Sequence, residues 1–264
     1  MDFVSGAVIF LSGLGAGAIT GLIGASAVTF MAGILVVFLG YPAYTAIAIS
    51  LATDVFASST STIIYKKYGN INIKKGLTMA FFAVIFAFLG AYLSRFFPDM
   101  ALGKGVIIIT FLVGLDLIRK PLNIQFTNAK KINFYSYFRK KPIFSSIFFG
   151  AIVGLISGIF GAGGGLTILA VLTIVLGIRF TKAVGTSVLI MTFIALAGAI
   201  GHFIHIAIPI KEIVIASVGA IIGASIATSF ANKKDEMKVS MIAGVILLLI
   251  GSVMLLRDYL FQPF

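Results

Sequence analysis

A chain of 264 residues with 60% hydrophobic and only 11% charged side chains, at a mean hydropathy of +1.15, cannot hide its apolar surface around one core in water and reads as an integral membrane protein. The net charge of +12 would suit a polyanion, but the basic residues stand in short loops between apolar runs, where membrane topology accounts for them, so a nucleic-acid partner is excluded. With no cysteine, disulfides, thiolate chemistry and cysteine-based metal sites are excluded as well.

Taken in chain order, the apolar runs between charge and turn signals predict ten helical segments, at residues 4–23, 26–39, 43–65, 77–97, 101–118, 143–160, 164–178, 183–205, 212–231 and 239–257. The first follows Met1 and Asp2 without a basic leader or cleavage pattern and is expected to be retained. The second is short: about 14 residues at ~1.5 Å each reach roughly 20 Å, against a hydrocarbon core of about 30 Å. It is preceded by Gly24-Ala25-Ser26, and its counterpart in the second half by Gly161-Ala162-Gly163-Gly164-Gly165. The first two segments of each half are therefore expected to form a hairpin broken at a glycine-rich tip, tolerated in a membrane only where it is buried in protein or lines a wet cavity. Residues 119–142, RKPLNIQFTNAKKINFYSYFRKKP, form the one long connection. They read as a solvated cytoplasmic linker, with the alternative that the interleaved aromatic and basic residues lie along an anionic leaflet. Three parts result: a first repeat at 1–118, the linker at 119–142 and a second repeat at 143–264.

Duplication is visible in the letters. At a shift of 137 positions, sixteen of the sixty-two residues from Gly13 to Lys74 coincide with residues from Gly150 to Lys211, without a gap. They include Gly13/Gly17/Gly21/Gly24 against Gly150/Gly154/Gly158/Gly161, then Gly40 with Gly177 and Ser50 with Ser187. Placing the loops alternately on two sides gathers sixteen Lys and Arg on one side and leaves Arg95, Lys104, Lys211 and Arg257 on the other. The basic side is expected to be cytoplasmic and both termini outside. Because each half has five segments, the second must enter from the opposite face. The fold class expected is an all-α polytopic membrane protein, an inverted-topology duplication of a five-segment unit with short or re-entrant helices broken at the glycine tips.

Such tips expose backbone N–H groups and the positive end of a helix dipole, which suits an anion. Two of them, approaching from opposite faces, would define one central site. The residues expected to line it are Gly24, Ala25, Ser26, Thr29 and Ser50 from the first half, with Gly161, Gly163, Gly164, Gly165, Thr167, Gly185, Thr186 and Ser187 from the second. Each hydroxyl has the alternative of bonding back to its own helix. Asp54 is the only acid deep within a predicted segment and so a functional candidate by default, for proton coupling, a structural hydrogen bond or cation binding; its repeat mate is Met191. His202 and His205 lie near one end of the eighth segment, where interfacial placement is the plain reading and proton sensing by His202 the functional one. No catalytic triad, HExxH or paired-carboxylate pattern is present, so no catalytic residue, cofactor or metal is expected. GIFGAGGG at 158–165 follows an apolar segment and lacks a GK[ST] ending, which excludes a nucleotide loop.

GIFGAGGGLTILAVLTIVLG (158–177) followed by AVGTSVLIMTFIALAGAIGH (183–202) resembles the signature of the sulfite exporter TauE/SafE family, a glycine triplet, a short apolar helix and an A-x-GTS element. GLIGASAVTFMAGILVVFLG (21–40) with AIAISLATDVFASSTS (46–61) is a weaker copy, having Ser26-Ala27 where relatives often keep further glycines, and an acid at position 54. The resemblance implies a multi-pass plasma-membrane carrier for sulfite, an organosulfonate or a related small anion. It also implies that Gly163 to Gly165 and Gly185 to Ser187 are site elements. Expected partners are a small anionic solute and membrane lipids, with a homodimer admitted. Two other readings stay open: a cation-coupled or channel-like protein with Asp54 as the ion site, and a membrane-embedded enzyme or non-transporting membrane subunit.

Overall fold

The computed structural model describes residues 3–119, 142–161, 164–233 and 236–261. The chain forms α1 (Phe3–Ile23), α2 (Val28–Leu39), α3 (Ala43–Lys67), α4 (Ile73–Ser94), α5 (Asp99–Arg119), α6 (Pro142–Phe160), α7 (Gly164–Ala170, continued by a π-helical turn Val171–Val175), α8 (Phe180–Phe203), α9 (Ile210–Ala231) and α10 (Glu236–Phe261). Each predicted segment has its helix, and there is no strand among the described residues. Most of the basic linker, residues 120–141, lies outside the described residues, as do Ala162 and Gly163.

Six helices, α1, α3, α4, α6, α8 and α9, are long and apolar enough to cross a membrane by length and composition. Their outward faces carry large apolar side chains, among them Phe81, Ile226, Leu249 and Leu256 with α10, as expected of surfaces that meet lipid rather than water. The second element of each half is short. α2 has 12 residues, and both α2 and α7 with its π turn end by one device. Gly40 and Gly177 take φ of 67° and 65°. The N–H of Tyr41 then donates to the Leu35 carbonyl at 3.1 Å, and that of Ile178 to the Leu172 carbonyl at 2.9 Å. Glycine reaches this left-handed conformation without a Cβ penalty, and the six-residue closure satisfies a terminal carbonyl.

Packing follows the repeat. α1 lies along α9 as α6 lies along α4, each pair closed by glycines. A Cβ on Gly13 or Gly17 would overlap the carbonyl of Ala216 or Ala220, and one on Gly154 or Gly158 that of Ala83 or Ala87. Small residues let backbones approach this closely, which supplies the attraction that burial alone cannot give inside lipid. Gly17→Ala is accordingly expected to push α1 off α9 and cost about 1–3 kcal/mol, the usual range for overpacking, seen as a lowered thermal midpoint in detergent.

α3 and α8 form the buried centre and run antiparallel. Leu51 faces Gly198, Ser58 accepts from Thr192 at 3.1 Å, and Tyr65 faces Gly185. α5 and α10 are antiparallel too, with Gly114 against Leu248 and Gly251 against Phe111. One end of the bundle joins the helix ends and loops carrying Lys66, Lys67, Lys74, Arg179, Lys182 and Lys233. There Asn70 Nδ2 donates to Asn232 Oδ1 at 2.7 Å, and the Asn72 N–H to Thr186 Oγ1 at 2.9 Å. At the other end Asp99 accepts the free N–H groups of Ala43 and Tyr44 at the start of α3, at 2.8 and 2.9 Å, and Tyr41 donates to Glu212 at 3.2 Å.

Candidate functional site

The first tip is built by Gly24, whose φ of 67° ends α1 while its N–H still reaches the Thr20 carbonyl at 2.9 Å. Four residues later, at Val28, the chain re-enters a helix. Ser26 forms the turn that leads into it: its hydroxyl accepts the Val28 N–H at 3.3 Å, and its carbonyl accepts the N–H and hydroxyl of Thr29. Gly161, φ 65°, ends α6 in the same way. Each tip then packs on the third helix of the other half. A Cβ on Gly24 would meet Ser187 and Val184 of α8, and one on Gly161 would meet Val28 and Ile47 of α2 and α3. The tips also touch each other: a Cβ on Gly165 would stand 2.7 Å from the Ala25 Cα and 2.9 Å from the Ser26 nitrogen.

Asp54 lies beside this contact, fully buried. Ser26 donates to its Oδ2 at 2.8 Å, Thr20 to its Oδ1 at 3.4 Å, and the Ala27 N–H also reaches the carboxylate. All three partners are neutral. The amide end of α2 therefore already faces a carboxyl group, and it is the protein's own. Ser26 Oγ also lies 3.1 Å from the Gly161 carbonyl of the second tip. A serine hydroxyl has one proton, so its donation to Asp54 and to Gly161 compete.

Of the residues expected at the site, the structure brings together Gly24, Ala25, Ser26, Gly161, Gly164, Gly165, Ser187 and Asp54. Ser187 donates to Val184 at 2.8 Å and faces the Gly24 carbonyl at 3.5 Å. The others turn their side chains elsewhere or lie away from the junction. Thr29 and Ser50 spend their hydroxyls on the carbonyls of Ser26 and Ala46, the latter at 2.7 Å. Thr186 donates to Lys182 at 2.6 Å and caps the 70–72 loop, against which Gly185 is also packed. Thr167 is on the exposed side of α7. Gly163 lies outside the described residues. His202 is at the far end of α8: its Nδ1 is 2.9 Å from the Gly198 carbonyl, Ser94 Oγ is 3.2 Å from its Nε2, and its ring lies 4.6 Å from that of Tyr44. His205 meets Arg95 at 3.4 Å on the surface.

Sequence reasoning missed Thr20, which holds Asp54, and Ser157, its repeat counterpart; a threonine opposite a serine adds nothing to a count of identities. Tyr65 was missed as well. It is buried and donates to the Gly21 carbonyl at 3.0 Å, tying the end of α3 to the last turn of α1.

The family model described as "Sulfite exporter TauE/SafE" matches residues 9–254. Similar curated proteins include "Probable membrane transporter protein YdhB" of Bacillus subtilis (strain 168), 30% identical over 228 residues that cover 85% of this chain and 88% of the relative. "Probable membrane transporter protein YunE" of the same organism is 25% identical over 261 residues, covering 95% and 93%. "Probable membrane transporter protein ORF9" of a Sinorhizobium species is 23% identical over 229 residues, covering 86% and 84%. No solved structure gives a significant match.

Proposed function

The chain belongs to the sulfite exporter TauE/SafE family of membrane transporters, and from that membership we propose that it carries a small anion, sulfite or a related sulfur oxyanion or organosulfonate, by alternating access. The observation that carries the proposal is the meeting of two glycine tips, one from each repeat, at the centre of the bundle. Inverted repeats that rock about such a junction expose it to one side and then the other. The antiparallel course of α3 against α8 and of α5 against α10 supports that reading, because each pair joins equivalent segments of the two halves. The basic loops at one end support a cytoplasmic placement for that end, in a plasma membrane with both termini outside.

Asp54 supplies the coupling step. When its carboxylate is ionised it accepts the Ser26 hydroxyl's hydrogen bond; when it is protonated it donates to Ser26, whose own proton then turns to the Gly161 carbonyl and fastens one tip to the other. The oxygens of Asp54 face hydrogen-bond donors, which counts against a cation site there.

The test is flux in proteoliposomes with labelled sulfite, sulfate, sulfoacetate and thiosulfate at two pH values. Saturable flux with counterflow of at least one of these anions is the expected result. Current that grows without saturation, or no flux of any of the four, would overturn the proposal.

A further inference from the structure

The first tip shows how this fold holds a carboxyl group, and the second tip repeats part of the holder without it, a glycine standing in the sequence where Ser26 stands. At the shift of 137, Thr20 corresponds to Ser157, Ala27 to Gly164 and Asp54 to Met191. The three counterparts are again neighbours: a Cβ on Gly164 would overlap Ser157 Oγ and stand 3.3 Å from Met191 Sδ. Ser157 is fully buried, and its hydroxyl has no hydrogen-bond partner among the described residues. Four buried hydroxyls share that condition, Thr53, Thr62, Ser157 and Ser217, and Ser157 is the one whose repeat counterpart donates to a carboxyl group. Natural folds rarely leave such a group unpaired unless something else is to fill the place. Met191, unbranched and with three rotatable bonds, is a side chain able to turn aside for an incoming group.

Resting on the carrier reading above, we propose that the transported oxyanion binds in one repeat only, against the Ser157 hydroxyl and in the place of the Met191 thioether, where one of its oxygens stands as a carboxylate oxygen of Asp54 stands against Thr20. The first repeat is closed to substrate because its own carboxylate fills the equivalent position. Ser157 and Met191 are then specificity-determining residues, and the site accepts compact oxyanions such as sulfite.

The experiment compares four variants with the wild type for sulfite flux into proteoliposomes, each checked by size-exclusion profile and thermal midpoint. Met191→Asp installs the internal anion in the second tip, and Met191→Asn is its neutral counterpart of the same size. The aspartate variant should be slower than the asparagine variant by tenfold or more. Ser157→Ala should raise the half-saturating sulfite concentration about tenfold, the worth of one hydrogen bond to an anion, with little change in maximal rate, and Ser157→Thr should restore it. Equal flux in the two Met191 variants, or unaltered half-saturation in Ser157→Ala, would overturn the proposal while leaving the carrier reading intact. Absence of flux in the wild type would instead remove the carrier reading, and this site with it.

Discussion

Asp54→Ala is expected to abolish flux and to lower the free energy of unfolding by about 3 kcal/mol or more. The reason is the count of donors that lose their acceptor. Thr20, Ser26 and the Ala27 amide all turn toward one buried carboxylate. A buried donor left unsatisfied costs about 1–3 kcal/mol, and a hydrogen bond to a charged group contributes about 1.5–3 kcal/mol. Ser26 can recover by giving its proton wholly to Gly161, which limits the loss. Asp54→Asn separates stability from coupling, because an amide oxygen keeps an acceptor while its NH2 donates permanently to Ser26. That variant should remain folded and its flux should lose the pH dependence of the wild type. Flux measured between pH 5.5 and 8 checks the point, and an unaltered pH profile would remove Asp54 from the coupling step.

Gly165→Val should be as damaging by a different route. The position faces backbone: a Cβ would overlap the Gly24 carbonyl and come within 2.7 Å of the Ala25 Cα, atoms that cannot rotate away. Either the tips separate or α7 shifts. Overpacking of a rigid interior costs about 1–3 kcal/mol, and here the strain falls on the junction the proposed mechanism uses. We expect flux to fall by at least tenfold with the protein still entering the membrane, whereas Leu166→Val one position later, half-buried beside it, should be far milder. Parallel transport and thermal-midpoint measurements on the two variants distinguish a lost junction from a lost fold.

The architecture was legible because its signals are periodic and redundant. Long apolar runs, paired glycines and clustered lysines each pointed to the same ten segments, and Gly24, Gly40, Gly161 and Gly177 indeed take the positive φ that ends a helix sharply. The site was only partly legible. Sequence spacing placed Thr186 and Gly185 beside Ser187, but a helix turns by about 100° per residue, so neighbours in sequence face different partners. Ser187 looks to the first tip and Thr186 to the 70–72 loop. Nor could Thr20 be read as a second partner of Asp54 beside Ser26. Thr20 is 34 positions away, joined to it only by the hairpin that returns α2 past α1, and its hydroxyl resembled every other membrane threonine that bonds back to its own helix.

The mismatch between Asp54 and Met191 has a consequence for energetics. In a carrier assembled from two strictly identical inverted units, the forms open to either side would be related by a two-fold rotation and equally populated without any load. An acid in one unit opposite a thioether in the other removes that degeneracy. On the alternating-access reading proposed above, this pair is the unlike one that differs by an ionisable group at the junction, and exchanging its two residues is a direct way to alter the resting preference between the two forms.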